Sequence, residues 1–456
     1  MSLEIIPIGG YSRIEGNSVA IKYNNEIVIL DMGLSMENYV SYQNTQTSLN
    51  NETQVRLKYD ELLNQDAVPD YNFLGDDLSL VKAVIPSHAH LDHVGAIPYG
   101  MKFFRNIQVI ATPYTIEFIK QDLKNTGYDK QFTKNNIYLK TAKINSRVVV
   151  SENIEVEFIH TTHSVPDSAI IAVHTPNGTI VYAVDYKFDD FPQIGDPPNF
   201  KRLSILGKEG VKCLILESLY ADFDIETPSE DDVRIQLKKE IDNLATKNRL
   251  IFTSTFSSHV VRLKTLIEAG GSLNRQVVLL GSSLKLHTNI ARKLKKLNID
   301  QDIKVLRSAK EIKLFLSTLT IENRDNYFLI CTGHQGEEGS VLSKIADGYY
   351  DFYPGKEDIV IFSSSVIPTE TNETSFSILE KKLEKLGLNI IKDVHASGHA
   401  GLKDHKKMLK LLNPEYIIPA HAGHEKAKFI KQLSEDIKIG KTIMVNNHER
   451  VKLDWK

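Results

Sequence analysis

The chain has 456 residues, of which 25% are charged and 41% hydrophobic, and its formal net charge is −3. That length allows about two or three domains, and the near-neutral balance argues against a basic nucleic-acid coat or a polybasic membrane binder. Two cysteines, Cys213 and Cys331, are too few for a disulfide scaffold and match no zinc-knuckle spacing, which points to a reducing, cytoplasmic setting.

In chain order, Met1-Ser2-Leu3-Glu4 opens without a basic or apolar leader, and no apolar run reaches the ~18 residues of a membrane span. Leu3 to Ile8 reads as a strand ended by Gly9-Gly10. Asn17 to Tyr23 and Glu26 to Leu30 read as a hairpin turning at Asn24-Asn25. Residues 36–66, rich in Asn, Gln and Thr, predict a surface excursion. Val81 to Pro86 is a further strand, and strand signals recur from Val148 to Val184, punctuated by Thr175-Pro176-Asn177-Gly178. The pattern changes near residue 206. Val211 to Leu216 predicts a strand, and Thr227-Pro228-Ser229-Glu230 reads as a capping box with proline at the first helical position. Val233, Leu237, Ile241 and Leu244 follow at helical spacing. Strand Leu250 to Phe256, a helix through Val260 to Ile267 closed by Gly270-Gly271, and strand Gln276 to Leu280 come next. They are followed by a helix from Ile290 to Leu297, strand Tyr327 to Ile330, helix Val341 to Ala346 and strand Ile359 to Phe362. Such alternation implies a mostly parallel sheet. An amphipathic helix over Ile378 to Leu386 leads into the last strands and helices. The expected organisation is a β-rich domain (1–205 and 367–456) interrupted by an α/β insert (206–366).

Histidine carries the chemistry. The chain has 15, and Ser87-His88-Ala89-His90-Leu91-Asp92-His93 places three of them with a carboxylate just after a strand. Such N/O donors without thiolate suit zinc or manganese. His163 follows the strand Ile154 to Ile159, Asp185 ends the strand Thr179 to Val184, and His421 follows Tyr416-Ile417-Ile418-Pro419-Ala420. Together these give seven ligands (His88, His90, Asp92, His93, His163, Asp185 and His421), enough for two ions sharing one carboxylate. Asp31, at the end of Glu26 to Leu30, is expected to orient a ligand.

H-x-H-x-D-H with a later His, Asp and His resembles the metallo-β-lactamase superfamily. Within it, Val68-Pro69-Asp70-Tyr71-Asn72-Phe73-Leu74, His163-Ser164-Val165-Pro166-Asp167-Ser168 and Asp185-Tyr186-Lys187-Phe188-Asp189 resemble the β-CASP nucleases of the ribonuclease J family. So do Cys331-Thr332-Gly333-His334-Gln335-Gly336-Glu337 and His395-Ala396-Ser397-Gly398-His399-Ala400. The similarity runs from about residue 5 to residue 425. It implies an α/β fold: a metallo-β-lactamase αββα sandwich with an inserted β-CASP α/β domain. It also implies that Asp185 bridges the ions, that Glu217 falls on the acidic motif A, His399 on motif B and His421 on motif C, and that Asp92, Glu217 and His399 are catalytic. In Pro419-Ala420-His421-Ala422-Gly423-His424 the glycine does not follow the histidine directly; His421 is preferred over His424 because it adjoins the strand. The family further implies two divalent ions per chain, zinc first, with manganese or magnesium as alternatives. Its substrate would be single-stranded RNA, cleaved 5′→3′ from monophosphorylated ends with endonuclease activity as a further mode, by metal-bound hydroxide. A homodimer and the short form known from archaea are likewise implied by resemblance. The rival readings are a DNA nuclease of the same fold and a catalytically weak RNA-binding scaffold.

The insert's strand ends share small hydroxyl and glycine residues that leave backbone N–H groups for anions. They are Thr253-Ser254-Thr255-Phe256-Ser257-Ser258, Gly281-Ser282-Ser283, Thr332-Gly333-His334-Gln335-Gly336 and Ser363-Ser364-Ser365. The expected RNA and phosphate contacts are Ser257, Ser258, His259, Arg262, Ser282, Thr332, Gly333, Gln335, Ser363, Ser364, Ser365 and Ser397. Lysines at 381, 382, 385, 392, 403, 406, 407 and 410 suggest a further basic stretch. Trp455 and Tyr349-Tyr350 are too isolated to predict a stacking platform.

Overall fold

The computed structural model describes residues 2–50, 56–244, 246–298, 302–367 and 369–453, without the side chains of 47–50; Trp455 lies outside them. Strands β1 (Leu3–Gly9), β2 (Ser18–Tyr23), β3 (Glu26–Leu30), β4 (Val81–Ile85), β5 (Gln108–Ala111) and β6 (Tyr138–Thr141) form most of the first sheet. Next come β7 (Ser146–Val149), β8 (Glu155–His160), β9 (Ala169–Thr175), β10 (Gly178–Ala183) and β11 (Val211–Glu217). The insert contributes β12 (Ile251–Ser254), β13 (Gln276–Leu280), β14 (Ile303–Leu306), β15 (Tyr327–Cys331), β16 (Ile359–Phe362) and β17 (Asn389–Ile391). The chain closes with β18 (Tyr416–Ala420), β19 (Lys441–Thr442) and β20 (Val451–Leu453). Three sheets result, ordered β20-β1-β2-β3-β4-β5-β6, β19-β18-β11-β10-β9-β8-β7 and β14-β13-β15-β12-β16-β17.

The two seven-stranded sheets face each other across one apolar layer. Ile5, Val19, Ile21, Val28 and Ile85 meet Phe158, Ile171, Tyr182, Ile215 and Ile418 there, each essentially without exposed surface. Each such side chain contributes about 1.5–3 kcal/mol by leaving water. Helices Phe200–Glu209, Leu402–Leu412 and His424–Ile437 cover the outer face of the second sheet, completing an αββα sandwich. The insert sheet is parallel throughout, as its strand–helix alternation requires.

Several expectations change. β11, expected to open the insert, is hydrogen-bonded in parallel between β10 and β18, and so lies in the second sheet of the sandwich. At the other end, β17 extends the insert sheet beyond residue 366 by pairing with β16. Residues 36–66 are not merely a surface excursion. Helices Met36–Asn50 and Tyr59–Asn64 lie there, with Tyr59 and Leu62 buried in the core. The helix after Pro228 is capped by Ser229 with Asp232, not by Thr227. Gly270-Gly271 lies inside helix Val260–Ser272 rather than ending it. A Cβ on Gly270 would sit 2.7 Å from Val277 Cγ2, so glycine lets that helix approach the sheet. The lysine stretch divides among helix Glu370–Lys385, Lys392 just after β17, and helix Leu402–Leu412, the two helices covering different sheets. Lys382 pairs with Asp347, Lys392 with Glu380, and Lys407 lies over Phe188 and Phe200, so no single basic face forms.

Candidate metal centre

Strand ends build the site. β3 delivers Asp31, β10 delivers Asp185 and β18 delivers His421, each just beyond the strand with φ near +58°: 57°, 58° and 58°. Left-handed backbone is costly for residues with a Cβ and concentrates where surrounding structure enforces a function. β4 leads into His88 and His90, and the short helix Leu91–Val94 presents Asp92 and His93. The register Glu217↔Ala420 sets Glu217 beside His421. Gly33 permits the approach of this helix, since a Cβ there would lie 1.6 Å from the Asp92 carbonyl oxygen.

The other six expected donors converge on Asp185. Its Oδ2 lies 3.3 Å from His88 Nε2, 3.2 Å from His93 Nε2, 3.5 Å from His163 Nε2 and 4.0 Å from His90 Nδ1. Its Oδ1 lies 3.2 Å from His421 Nε2. Two four-residue groups have their ligand atoms within 4.8 Å of one another, His88, His90, His163 and Asp185, and Asp92, His93, Asp185 and His421, and a three-residue group, Asp185, Glu217 and His399, does so too. Asp185 belongs to all three. Donors about 3.3 Å apart match what a tetrahedral ion with ligand bonds of about 2.0–2.2 Å holds. Asp185 Oδ1 is buried with no hydrogen-bond partner, an arrangement that a cation relieves.

The rings are oriented from behind. Asp31 accepts from Ser87 N (2.6 Å), Ser87 Oγ (2.9 Å), His93 Nδ1 (2.7 Å) and Tyr182 Oη (2.9 Å). His88 Nδ1 donates to Ser87 Oγ at 3.0 Å, and His163 Nδ1 to the Gly398 carbonyl at 2.6 Å. In all three imidazoles Nε2 is left to face Asp185, as ligands require. Burial lowers the imidazoles of His88 and His421 to about 4 and that of His163 well below its ordinary value, keeping them neutral. Burial also opposes a charge on His93 and His399, but Asp185 and its neighbouring carboxylates push both up, His399 to about 9. Metal binding displaces the extra proton of His93, whereas His399, no ligand of either proposed ion, keeps its own.

Glu217 and His399 flank the cluster. His399 Nδ1 donates to Glu217 Oε2 at 2.8 Å, and Glu217 Oε1 accepts from Tyr186 N (3.1 Å) and Ala400 N (3.3 Å). His424 lies outside the cluster, its Nε2 directed at the Val445 carbonyl 3.0 Å away. His421→Ala is therefore expected to reduce bound metal and cut turnover by at least ~10²-fold. His424→Ala should leave metal content, measured by mass spectrometry, unchanged.

The sequence missed several members. Asn17, whose amide nitrogen lies 2.8 Å from His421 Nδ1, and Tyr182 carry no local signal because they reach the site from the middle of the fold. Ser87 and Ser164 stood inside the quoted motifs; Ser164 Oγ lies 3.2 Å from His90 Nε2.

The insert's strand-end loops lie side by side on consecutive strands. Half-buried Ser257, Ser258, Thr332 and Ser397 and exposed Ser282 and Ser365 are open to solvent, while Gly333 is buried with φ 118°. Ser364 Oγ is buried without a hydrogen-bond partner, as are both ring nitrogens of His334, whose Nδ1 lies 3.9 Å from Glu337 Oε1 and whose ring centroid stands 3.8 Å from that of Phe256. His334 stands in the Thr332–Gly336 stretch but is not among the expected contacts. Three expected contacts are already committed. Ser363 Oγ donates to the Val394 carbonyl at 2.9 Å, and Gln335 Nε2 to the Ser365 carbonyl at 2.8 Å. Arg262 has no exposed surface and is fully engaged by protein acceptors, because a buried guanidinium without partners is costly. His259 caps its helix through Nδ1, leaving only Nε2 unpartnered.

The sandwich, the insert and the shared carboxylate define a metallo-β-lactamase-fold protein with a β-CASP domain. Family models agree: residues 13–190 match the metallo-β-lactamase superfamily, 247–380 the ribonuclease J β-CASP domain, and 384–445 the Zn-dependent metallo-hydrolase RNA specificity domain. A ribonuclease J of Pyrococcus abyssi (strain GE5 / Orsay) is 36% identical, covering 98% of this chain and 96% of that one. A ribonuclease J of Methanocaldococcus jannaschii is 35% identical, covering 96% and 95%. A ribonuclease J 1 of Streptococcus pyogenes serotype M3 is 32% identical, covering 96% and 71%. The chain belongs to the ribonuclease J family. A solved structure of a protein of unknown function from Enterococcus faecalis V583 shares the fold, with TM-score 0.64 and 18% identity over 99% of this chain and 100% of that one. Among the described residues no helix is long and apolar enough to cross a membrane.

Proposed function

We propose that this protein is a cytoplasmic, two-metal ribonuclease that degrades single-stranded RNA 5′→3′ from monophosphorylated ends and also cleaves internally. The observation that carries this is the pair of donor groups sharing Asp185. His88, His90 and His163 would hold one ion, Asp92, His93 and His421 the other, and zinc suits the imidazole-rich set. When bound, such ions activate water and neutralise charge on the scissile phosphate.

The chain's own groups supply the rest. Glu217 holds His399 through Nδ1, which leaves Nε2 as the nitrogen able to protonate the leaving 3′-oxygen. The products are then a 5′-phosphate and a 3′-hydroxyl. His334 Nε2 and Ser364 Oγ, both without a hydrogen-bond partner, beside half-buried Ser257, Ser258 and Thr332, suit an anionic 5′ end. A homodimer is the proposed assembly.

Single-stranded RNA and DNA of one sequence, labelled at the 5′ end and bearing monophosphate or triphosphate, separate the readings. With zinc or manganese present, mononucleotides should be released from monophosphorylated RNA and not from DNA. RNA binding without cleavage, equal in wild type and Asp185→Ala, would leave only a scaffold.

A further inference from the structure

Arg262 lies in the first turn of helix Val260–Ser272 in the insert, yet none of it is exposed. Its Nε and Nη2 grip the two carboxylate oxygens of Glu230 at 2.9 and 3.0 Å. Nη1 donates to the Ser363 carbonyl (2.8 Å), Ser363 Oγ (3.1 Å) and the Val394 carbonyl (3.3 Å), and Nη2 to the Ala396 carbonyl (3.2 Å). These partners belong to three different parts of the site. Ser363 starts the Ser363-Ser364-Ser365 turn of the insert rim. Glu230 is tied through its backbone N to Asp189 Oδ2 at 2.9 Å and through its carboxylate to Lys187 Nζ at 3.1 Å, both close in sequence to Asp185. Val394 and Ala396 lead directly into Ser397-Gly398-His399.

That last stretch lies outside any helix or strand, so no ladder of backbone bonds holds it. It nevertheless supplies two contacts that must be accurate: the Gly398 carbonyl on His163 Nδ1 and the His399 ring on Glu217. The guanidinium fork fastens the Val394 and Ala396 carbonyls, the first shared with Ser363 Oγ, while Thr227 Oγ1 holds the His399 carbonyl at 2.8 Å. A misplacement of about 1 Å at such a site costs on the order of 10²-fold in rate.

We propose that Arg262 is a positioning residue: it holds the 394–399 segment in register with His163 and Glu217, and ties that register to the Ser363 turn of the insert. The role rests on the ribonuclease reading above. It assigns Arg262 to turnover, not to phosphate binding.

Arg262→Lys keeps the charge opposite Glu230 but loses the planar fork. In the metal-loaded, full-length variant, kcat on saturating monophosphorylated RNA should fall about 10- to 100-fold. KM and metal content should stay close to wild type, while the melting temperature falls because buried acceptors lose their donors. Ser363→Ala, which removes only the hydroxyl shared by Arg262 and Val394, should lower kcat a few-fold in the same direction. It decides the question if Arg262→Lys fails to fold. A raised KM with kcat intact would make Arg262 a phosphate ligand and overturn the proposal. Unchanged kcat in folded Ser363→Ala and Arg262→Lys would also overturn it. Absence of RNA cleavage by wild type would instead remove the ribonuclease reading.

Discussion

Asp185→Asn should lower RNA hydrolysis by at least ~10³-fold and strip the protein of most of its bound metal. The substitution is nearly isosteric, so the packing around a buried side chain is preserved and the loss reports on charge. Asp185 is the residue common to both donor groups, with Oδ2 facing His88, His93 and His163 and Oδ1 facing His421. An amide offers one acceptor and no negative charge to two cations. It also leaves its NH2 pointed at imidazole nitrogens whose tautomers are set by Ser87, Asp31 and Gly398. Turnover of labelled RNA and elemental analysis of the same sample check the prediction, with circular dichroism as control for folding. A folded Asp185→Asn variant that keeps its metal and its turnover would contradict the shared-carboxylate geometry.

Glu217→Gln and His399→Gln should each cost about 10²–10⁴-fold in kcat, the range of a positioned proton donor, while metal content stays near wild type. Glu217 is fully buried, and burial raises its carboxyl against the opposing pull of His399. Its acceptors serve Tyr186 N and Ala400 N as well as the His399 ring, so it sets the ring relative to the backbone on both sides. Because the two residues act as a unit, the double variant should lose little more than either single one. That comparison, made at saturating RNA, is the check. Additive losses would mean that Glu217 and His399 serve separate steps.

The metal cluster was legible because its signal is local. Four donors fall within six residues after β4, and His163, Asp185 and His421 each follow an apolar strand whose carboxyl end must lie at one edge of the sandwich. Sheet membership was not legible in the same way. Val211–Glu217 has the apolar pattern of an insert strand, and only its pairing with β10 and β18, far apart in sequence, places it in the sandwich. The same limit applies to Asn17 and Tyr182, which reach the site through tertiary packing alone.

Arg262 makes the opposite lesson. A cation near a Ser/Gly-rich loop suggests an anion ligand, but its burial and its carboxylate partner Glu230 come from a different helix. In 36–66 the polar composition masked helix Met36–Asn50, whose Met36, Tyr39 and Tyr42 still pack on the core. Polarity described the outer face of that helix and missed the inner one.

The central claim is that one buried carboxylate joins two groups of donors into a two-ion site. Elemental analysis of purified wild type, beside His421→Ala and His163→Ala, tests it most directly. About two divalent ions per wild-type chain are expected, and close to one in each variant, since each loses a ligand from a different group. Wild-type protein that hydrolyses RNA with one ion per chain, or with none after exhaustive chelation, would contradict it.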